Sequence, residues 1–388
     1  MNVAQFDQER LAHVVRVGVD LAKSVYAVDA VDRQERVVVK KMLKRPAFEQ
    51  FLSCLPAGCI VAMEACGGAH AWGRRCAGLG LKPLLLAPQA VKPYIGEQKN
   101  DLRDARGICE AGGRPNLIPV RVKSVMESDL QMIVRVREGR VADRTAKSNQ
   151  IRGFLLEYGI PIPLGLAAFK EQLPLILEDA ENGLSARVRP VLDSLYQAWL
   201  AADALVREAD RWLQEAGREQ TACQRLQAIP GIGPVIALAL LALIGDGRQF
   251  KNGRAVAAWL GLTPKQRSSG GKQRLGQMTK QGQIYLRTVL IHGARSALNS
   301  CKAEEDRLLR WGRALAARIG KNKAAVALAN KLARIAWRCW SVKGSISRPN
   351  RRSAAQDNHP VPSRESPQTI AGRLMMATRL DRRMGKPT

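Results

Sequence analysis

VVRVGVDLAKSVYAVDAVDRQERVVVKKML, residues 14–43, decides the fold class. Three valine-rich runs, VVRVGVDLA, VYAVDAV and ERVVVKKML, are separated by turn-sized gaps, which predicts three consecutive strands. RPAFEQFLSCL follows with Phe48, Phe51, Leu52 and Leu55 at helical spacing. CIVAMEA then reads as a buried strand, Gly68 to Ala77 as a helix, KPLLLAP as a further strand and Val91–Ile95 as a short helix. Hairpin-linked strands come first and helical crossovers later, so the expected class is α/β with a mixed sheet.

Beyond the sheet the pattern turns helical. DLRDARGICEA starts a helix at Asp101, and the chain is strongly helical from Ser128 through Asn149 and Leu156, until the loop GIPIPLG at 159–165. In residues 184–213, Val188, Val191, Leu195, Trp199, Ala202, Val206, Ala209 and Leu213 recur in alternating steps of three and four, a coiled-coil seam. Pro190 marks where the regular helix starts. Such a seam serves either a helical hairpin packed on its own domain or an oligomerisation arm, because heptads alone do not fix the partner. A second, mostly helical unit runs from about Leu226 to Trp340, and SVKGSISRPNRRSAAQDNHPVPSRESPQ after it has the Ser, Pro, Arg and Asn content of a disordered basic tail. The expected organisation is therefore 1–150, an α/β domain; 151–220, a coiled-coil region; 221–340, a helical domain; and 341–388, the tail.

The net charge of +28 is unevenly spread. Residues 1–225 carry about +5, residues 226–340 about +16 and the tail about +7. A polyanion partner accounts for this asymmetry, because neutralising phosphates releases counterions. The eight cysteines form no CxxC pair, which argues against structural zinc and against a disulfide framework. The N-terminal segment lacks a signal-peptide apolar stretch, and VIALALLALIG at 235–245 is too short to span a bilayer. These features predict a soluble, cytoplasmic, nucleoid-associated protein.

Four acids stand out. Asp20 lies on the first strand, Glu64 ends the fourth, and Asp101 and Asp104 share one face of a helix start. Carboxylates converging there would repel unless cations sat among them, and two Mg²⁺ ions meet that demand. Asp29, Asp32 and Glu35 read as solvated charges in turns. Far downstream, RSSGGKQRLG holds a Ser-Gly-Gly turn near Lys265, Arg267, Lys272, Arg274, Lys280 and Arg287. Arginines on a phosphate could activate Ser269, or the segment could be a basic loop that only touches a backbone. The histidines (13, 70, 292 and 359) show no metal-ligand spacing, and His292 reads as structural. LQAIPGIGPVIALALLALIG has the pattern of a helix–hairpin–helix, in which Gly231 and Gly233 let backbone N–H groups approach a phosphate; a simple helical packing turn has the same pattern.

The stretches VGVDLAKSVYAV, AMEACGGAHAWGR, KNDLRDARGICEA, IPVRVKS, NQIRGFLLEYGI, IPGIGPVIALALL, GLTPKQRSSGGKQRLGQMTKQGQIYLR and KAAVALANKLARIAWRCW resemble the DEDD insertion-sequence transposases of the IS110 group, above all its IS1111 branch, to which pilin-gene invertases are related. The resemblance covers about residues 14–340. It implies a RuvC-like, ribonuclease H-type domain with the metal-binding tetrad Asp20, Glu64, Asp101 and Asp104, and a transposase domain whose nucleophile is Ser269, with Ser268 as the other register. It also implies a covalent phosphoserine, donor and target DNA as partners, an element-encoded bridge RNA, and a homo-oligomer, dimer or tetramer, in which one subunit's acids complete another's serine site. Arg267, Lys272 and Arg274 are then candidate phosphate contacts. A junction resolvase needing only the acids, and a non-catalytic nucleic-acid-binding protein, are the alternatives.

Overall fold

The computed structural model describes residues 6–96, 100–300 and 306–341. The tail expected at 341–388 lies, from residue 342 on, outside the described residues, as does Cys301. The chain opens with α1 (Gln8–Leu11), β1 (Arg16–Leu21), β2 (Val25–Val31), β3 (Val37–Lys44), α2 (Arg45–Ser53), β4 (Ile60–Glu64), α3 (Ala69–Gly78), β5 (Lys82–Leu86), α4 (Pro88–Val91) and α5 (Asp101–Gly112). The sheet order is β3-β2-β1-β4-β5. The hairpin-linked strands β1, β2 and β3 pair antiparallel, whereas β4 and β5, reached by crossovers, run parallel to β1. This mixed sheet matches the expectation and is compatible with the RuvC-like domain that the resemblance implies.

Strand alternation divides the sheet residues between two faces. Val17, Val19, Val61 and Met63 pack with Phe48, Phe51, Leu52 and Trp72 under α2 and α3. Ala62 and Leu86 pack on the other face with Ile108 and Ala111 of α5. That second face is tight. A Cβ built on Gly18 of β1 would lie 2.1 Å from the carbonyl oxygen of Ala105 and 2.3 Å from the backbone nitrogen of Cys109. Only a residue without a side chain lets α5 lie this close to β1. At the outer edge, β3 exposes Lys40, Lys41 and Lys44, charges that discourage pairing with another strand.

The remainder is mostly helical: α6 (Val125–Glu157), α7 (Leu166–Glu178), α8 (Arg189–Arg218), α9 (Thr221–Gln227), α10 (Pro234–Ile244), α11 (Gly253–Trp259), the hairpin β6 (Pro264–Gln266) and β7 (Leu275–Met278), α12 (Ile284–Asn299), α13 (Arg307–Ile319) and α14 (Lys321–Ser341). α6 begins three residues before the expected Ser128, because Ser124 and Glu127 form a reciprocal capping box. At 33 residues it is about 50 Å long. α8 runs antiparallel beside it: Arg137, Arg140 and Arg144 pair in turn with Asp210, Glu208 and Asp203. Asp203 is buried and also binds Lys170 and Arg207. Burial pushes its pKa up, but hydrogen bonds from Lys170 and Arg144 outweigh that and hold it below the ordinary value.

The seam on α8 is buried at Trp199, Ala202, Val206, Ala209 and Leu213. At its start the expectation fails. Val191 is exposed, and Leu192 is the buried residue, packed with Phe169 and Leu173 of α7. α10, fully apolar, sits in the core of the C-terminal helices with Leu286, Leu290, Leu328 and Leu332. Among the described residues no helix is long and apolar enough to cross a membrane, and every cysteine is free.

Replacing Gly18 with Ala should destabilise the protein by about 3 kcal/mol, read by urea unfolding. Gly153→Ala in α6, where a Cβ meets nothing within 4 Å, should instead gain about 0.5–1 kcal/mol from helix propensity.

Candidate functional site

Val19 of β1 stands opposite Met63 of β4, so Asp20 and Glu64 follow side by side at the C-terminal ends of two parallel neighbours. Alternation puts Asp20 with Gly18, and Glu64 with Ala62, on the face that α5 covers. Asn100 caps α5 by accepting the N–H groups of Leu102 and Arg103, which sets Asp101 and Asp104 in its first turn. The close seat of α5 at Gly18 then carries that turn to Asp20. Carboxylate oxygens of Asp20, Asp101 and Asp104 lie within 4.8 Å of one another. Glu64 stands outside this set, yet its carboxyl is pushed above the ordinary value of 4.5 by burial and then by the charges of Asp20 and Asp104.

Like charges about 4 Å apart repel by about 1 kcal/mol in water and about 4 kcal/mol at the effective dielectric near a protein surface. Asp101 is exposed, so the lower figure governs its share; Asp20 and Asp104 are half-buried. The Oδ1 of Asp104 is buried and has no hydrogen-bond donor. A buried carboxylate oxygen left in this state costs stability unless something positive meets it. An all-oxygen donor set suits a hard divalent cation. These residues therefore fit the metal that a DEDD site implies.

Of the acids expected to be solvated turn charges, Glu35 is exposed in a turn, whereas Asp29 and Asp32 are buried. Asp29 lies within β2 opposite Gly18, is fully buried, and pairs with Arg106 of α5 at 3.1 Å. Burial raises its pKa against the opposing pull of Arg106. Asp32 is also buried, and accepts from the N–H groups of Gln34 and Arg36 and from the Arg36 guanidinium. Glu35, at positive φ, pairs with Arg16. His70, near the start of α3, accepts the N–H of Lys123 on Nδ1, and burial pushes its pKa down to about 4. It is a neutral acceptor.

Ser269 sits at the tip of the β6–β7 hairpin. Ser269 and Lys272 bridge across Gly270 and Gly271, whose φ angles of +57° and +73° give a tight two-residue turn. The two candidate serines differ. Ser268 Oγ accepts from the backbone N–H of Arg274 and from Gln266 Nε2, both at 3.1 Å, so it is tied across the hairpin. The Ser269 side chain has no such tie among the described residues and is exposed, as are Lys265, Arg267, Lys272 and Arg274. Strands β6 and β7 pack mainly on each other. The structure gathers Asp20, Asp101 and Asp104.

Gly231, in the turn between α9 and α10, is packed: a Cβ there would meet the Gly293 carbonyl at 3.1 Å and Leu332 of α14 at 3.2 Å. Gly233, the N-cap of α10, is exposed with open space beside it.

Comparison with known proteins identifies the family. Residues 17–160 match a DEDD transposase family of the IS110 type, and residues 223–309 match the transposase IS116/IS110/IS902 family. The chain is 45% identical to a probable family 20 transposase of Pseudomonas aeruginosa over 83% of its own length and 95% of the relative's. It is 41% identical to the transposase for insertion sequence element IS1111A of Coxiella burnetii, covering 83% and 88%. Identity to the transposase for insertion sequence element IS1328 of Yersinia enterocolitica is 36%, over 84% and 97%.

Glu64→Gln tests the electrostatics. A carboxyl with a raised pKa stabilises the fold below its unfolded value of 4.5 and loses that contribution as pH rises through its folded value. Without divalent cation, the stability of the wild type should therefore fall relative to Glu64→Gln as pH rises from 4.5 toward neutrality. At neutral pH a divalent cation at about 100 times its Kd should add about 2.7 kcal/mol to the wild type, and markedly less to Asp104→Asn. Thermal melts across pH and cation concentration read both effects.

Proposed function

The chain belongs to the transposase IS116/IS110/IS902 family and is a DNA transposase of an insertion sequence, and we propose that it cuts and rejoins DNA through Ser269, with the acids Asp20, Glu64, Asp101 and Asp104 holding Mg²⁺, two ions in the full site. The observation that carries this reading is the meeting of Asp20, Asp101 and Asp104 oxygens within 4.8 Å, with a donorless buried oxygen on Asp104. When bound, the cation supplies positive charge to the scissile phosphate and its departing oxygen. The chain's residues do the rest. The Ser269 hydroxyl attacks the phosphorus; an Oγ–P bond forms as one P–O ester bond of the strand breaks. The serine proton is released, and a proton ends on the departing sugar oxygen. One phosphoester replaces another, so rejoining needs no external energy. Arg267, Lys272 and Arg274, exposed around the turn, contact the phosphate and disperse its charge.

Ser269 is favoured over Ser268 because the latter's hydroxyl is engaged across the hairpin. We infer a composite site, in which a homo-oligomer, dimer or tetramer, brings the acids of one copy to the serine of another; the exposure of the Ser269 turn supports this. The α6–α8 pair would serve as the coiled-coil arm of that assembly, and the open N-terminus of α10 at Gly233, with Gly231 shaping the turn, as a helix–hairpin–helix contact to the DNA backbone. We assign donor and target choice to an element-encoded bridge RNA; the charge of about +16 on residues 226–340 is sufficient for two kinds of nucleic acid.

Ser269→Ala should abolish strand joining and any covalent protein–DNA adduct trapped by denaturation, while Ser268→Ala retains both. Cleavage unchanged in Ser269→Ala would point instead to a metal-only nuclease. Purification from cells carrying the element should recover one structured RNA; a fully active protein free of RNA would remove the guide.

A further inference from the structure

Across the sheet edge from the acids lies a cleft that the chemistry above does not use. It has a volume of about 430 Å³ and lies between the β1–β2 turn and the starts of α2 and α3. Lys23, Arg45 and Arg75 line it, over a floor of Trp72 and Tyr26. The floor is rigid: Tyr26 stacks on Phe48 at 4.6 Å, and Trp72 meets both rings edge-on at 5.2 and 4.8 Å. The two guanidiniums are held in place from two sides. Each lies over the Trp72 ring, at 5.7 and 6.0 Å. Each also pairs with one oxygen of Glu49, Arg45 through Nε and Arg75 through Nη2. An arginine has five N–H donors, so each keeps donors to spare after this pairing, on side chains that are 69% and 50% exposed. Lys23 is exposed and pairs with nothing among the described residues. Three cations against one carboxylate leave the cleft with two uncompensated positive charges.

The place of the cleft gives it meaning. Lys23 follows Asp20 by three residues, and Gly67, also in its lining, follows Glu64 by three. Three residues of chain reach at most about 11 Å, which corresponds to about three phosphates along one strand of a duplex. Surface ion pairs alone are ordinary and of small consequence. Two arginines pre-set on one tryptophan beside an unpaired lysine, in a concavity adjoining an acidic pocket, are a phosphate clamp.

We propose that Lys23, Arg45 and Arg75 grip backbone phosphates of the DNA strand flanking the one held at the acids. The inference rests on the reading of the acids as the metal site for DNA. It gives the α/β domain its own hold on the strand, independent of the C-terminal basic surface.

The test is the salt dependence of binding of a duplex DNA oligonucleotide to the full chain, with Ca²⁺ in place of Mg²⁺. Each lost phosphate contact lowers the slope of log K against log[salt] by about 0.9 on duplex DNA. Lys23→Gln should lower it by about that much and Lys23→Gln/Arg75→Gln by about twice as much. Arg33→Gln, on the exposed β2–β3 turn, is the control for general charge. Slopes that match the wild type, or an equal drop in the control, overturn the proposal. A drop seen only with a single-stranded RNA probe overturns the assignment to DNA. Variant slopes equal to those of a wild type that binds DNA overturn the clamp alone, whereas a wild type that binds no DNA overturns the clamp and the function beneath it together.

Discussion

The contact between Gly18 and the backbone of α5 determines what this chain can do. With Ala105 and Cys109 pressed against β1 where a side chain would otherwise stand, the first turn of α5 overhangs the end of the strand. Asp101 and Asp104 then meet Asp20, although more than eighty residues separate them. Arg106 on the same helix reaches the buried Asp29 of β2, so α5 is fixed to two strands at once. The parallel pairing of β1 with β4 contributes Glu64. Each part of this is a packing constraint, and its result is electrostatic: negative charge gathered at the end of one strand pair.

That charge is set against a positive background. The acids occupy a small spot on a chain of net charge +28, most of whose excess lies after residue 225. Such a positive background attracts polyanions over long range. The serine hairpin is built on a different principle. It is a short exposed turn whose backbone is fixed by two glycines and whose neighbours are cations.

Much of this was legible in the sequence. Valine-rich runs located the first three strands and the apolar runs CIVAMEA and KPLLLAP the next two, and their order indicated the mixed sheet. Asp20, Glu64, Asp101 and Asp104 were visible as acids at strand ends and a helix start. Where reading failed, tertiary contacts were the reason. Asp29 looks like a turn acid in VYAVDAVD, but its strand continues through it, and only the partner Arg106, on a distant helix, makes its burial tolerable. The heptad rule selected Val191 over Leu192, because the end of α8 is packed by α7, a helix that Pro174 hides from pattern reading. Ser268 and Ser269 are equivalent as letters, and only the cross-strand bonds of Ser268 separate them. Gly231 also packs against Gly293 and Leu332, neighbours that no local pattern reveals.

The most direct measurement is anomalous diffraction from crystals grown with Mn²⁺. A cation at this site should appear as a strong anomalous peak among Asp20, Asp101 and Asp104, with Glu64 in reach and carboxylate oxygens about 2.0–2.2 Å away. The peak should vanish in Asp104→Asn. Mn²⁺ bound elsewhere, or an ordered carboxylate cluster that holds no ion at saturating concentration, would contradict the claim that the seat of α5 on β1 builds a metal centre.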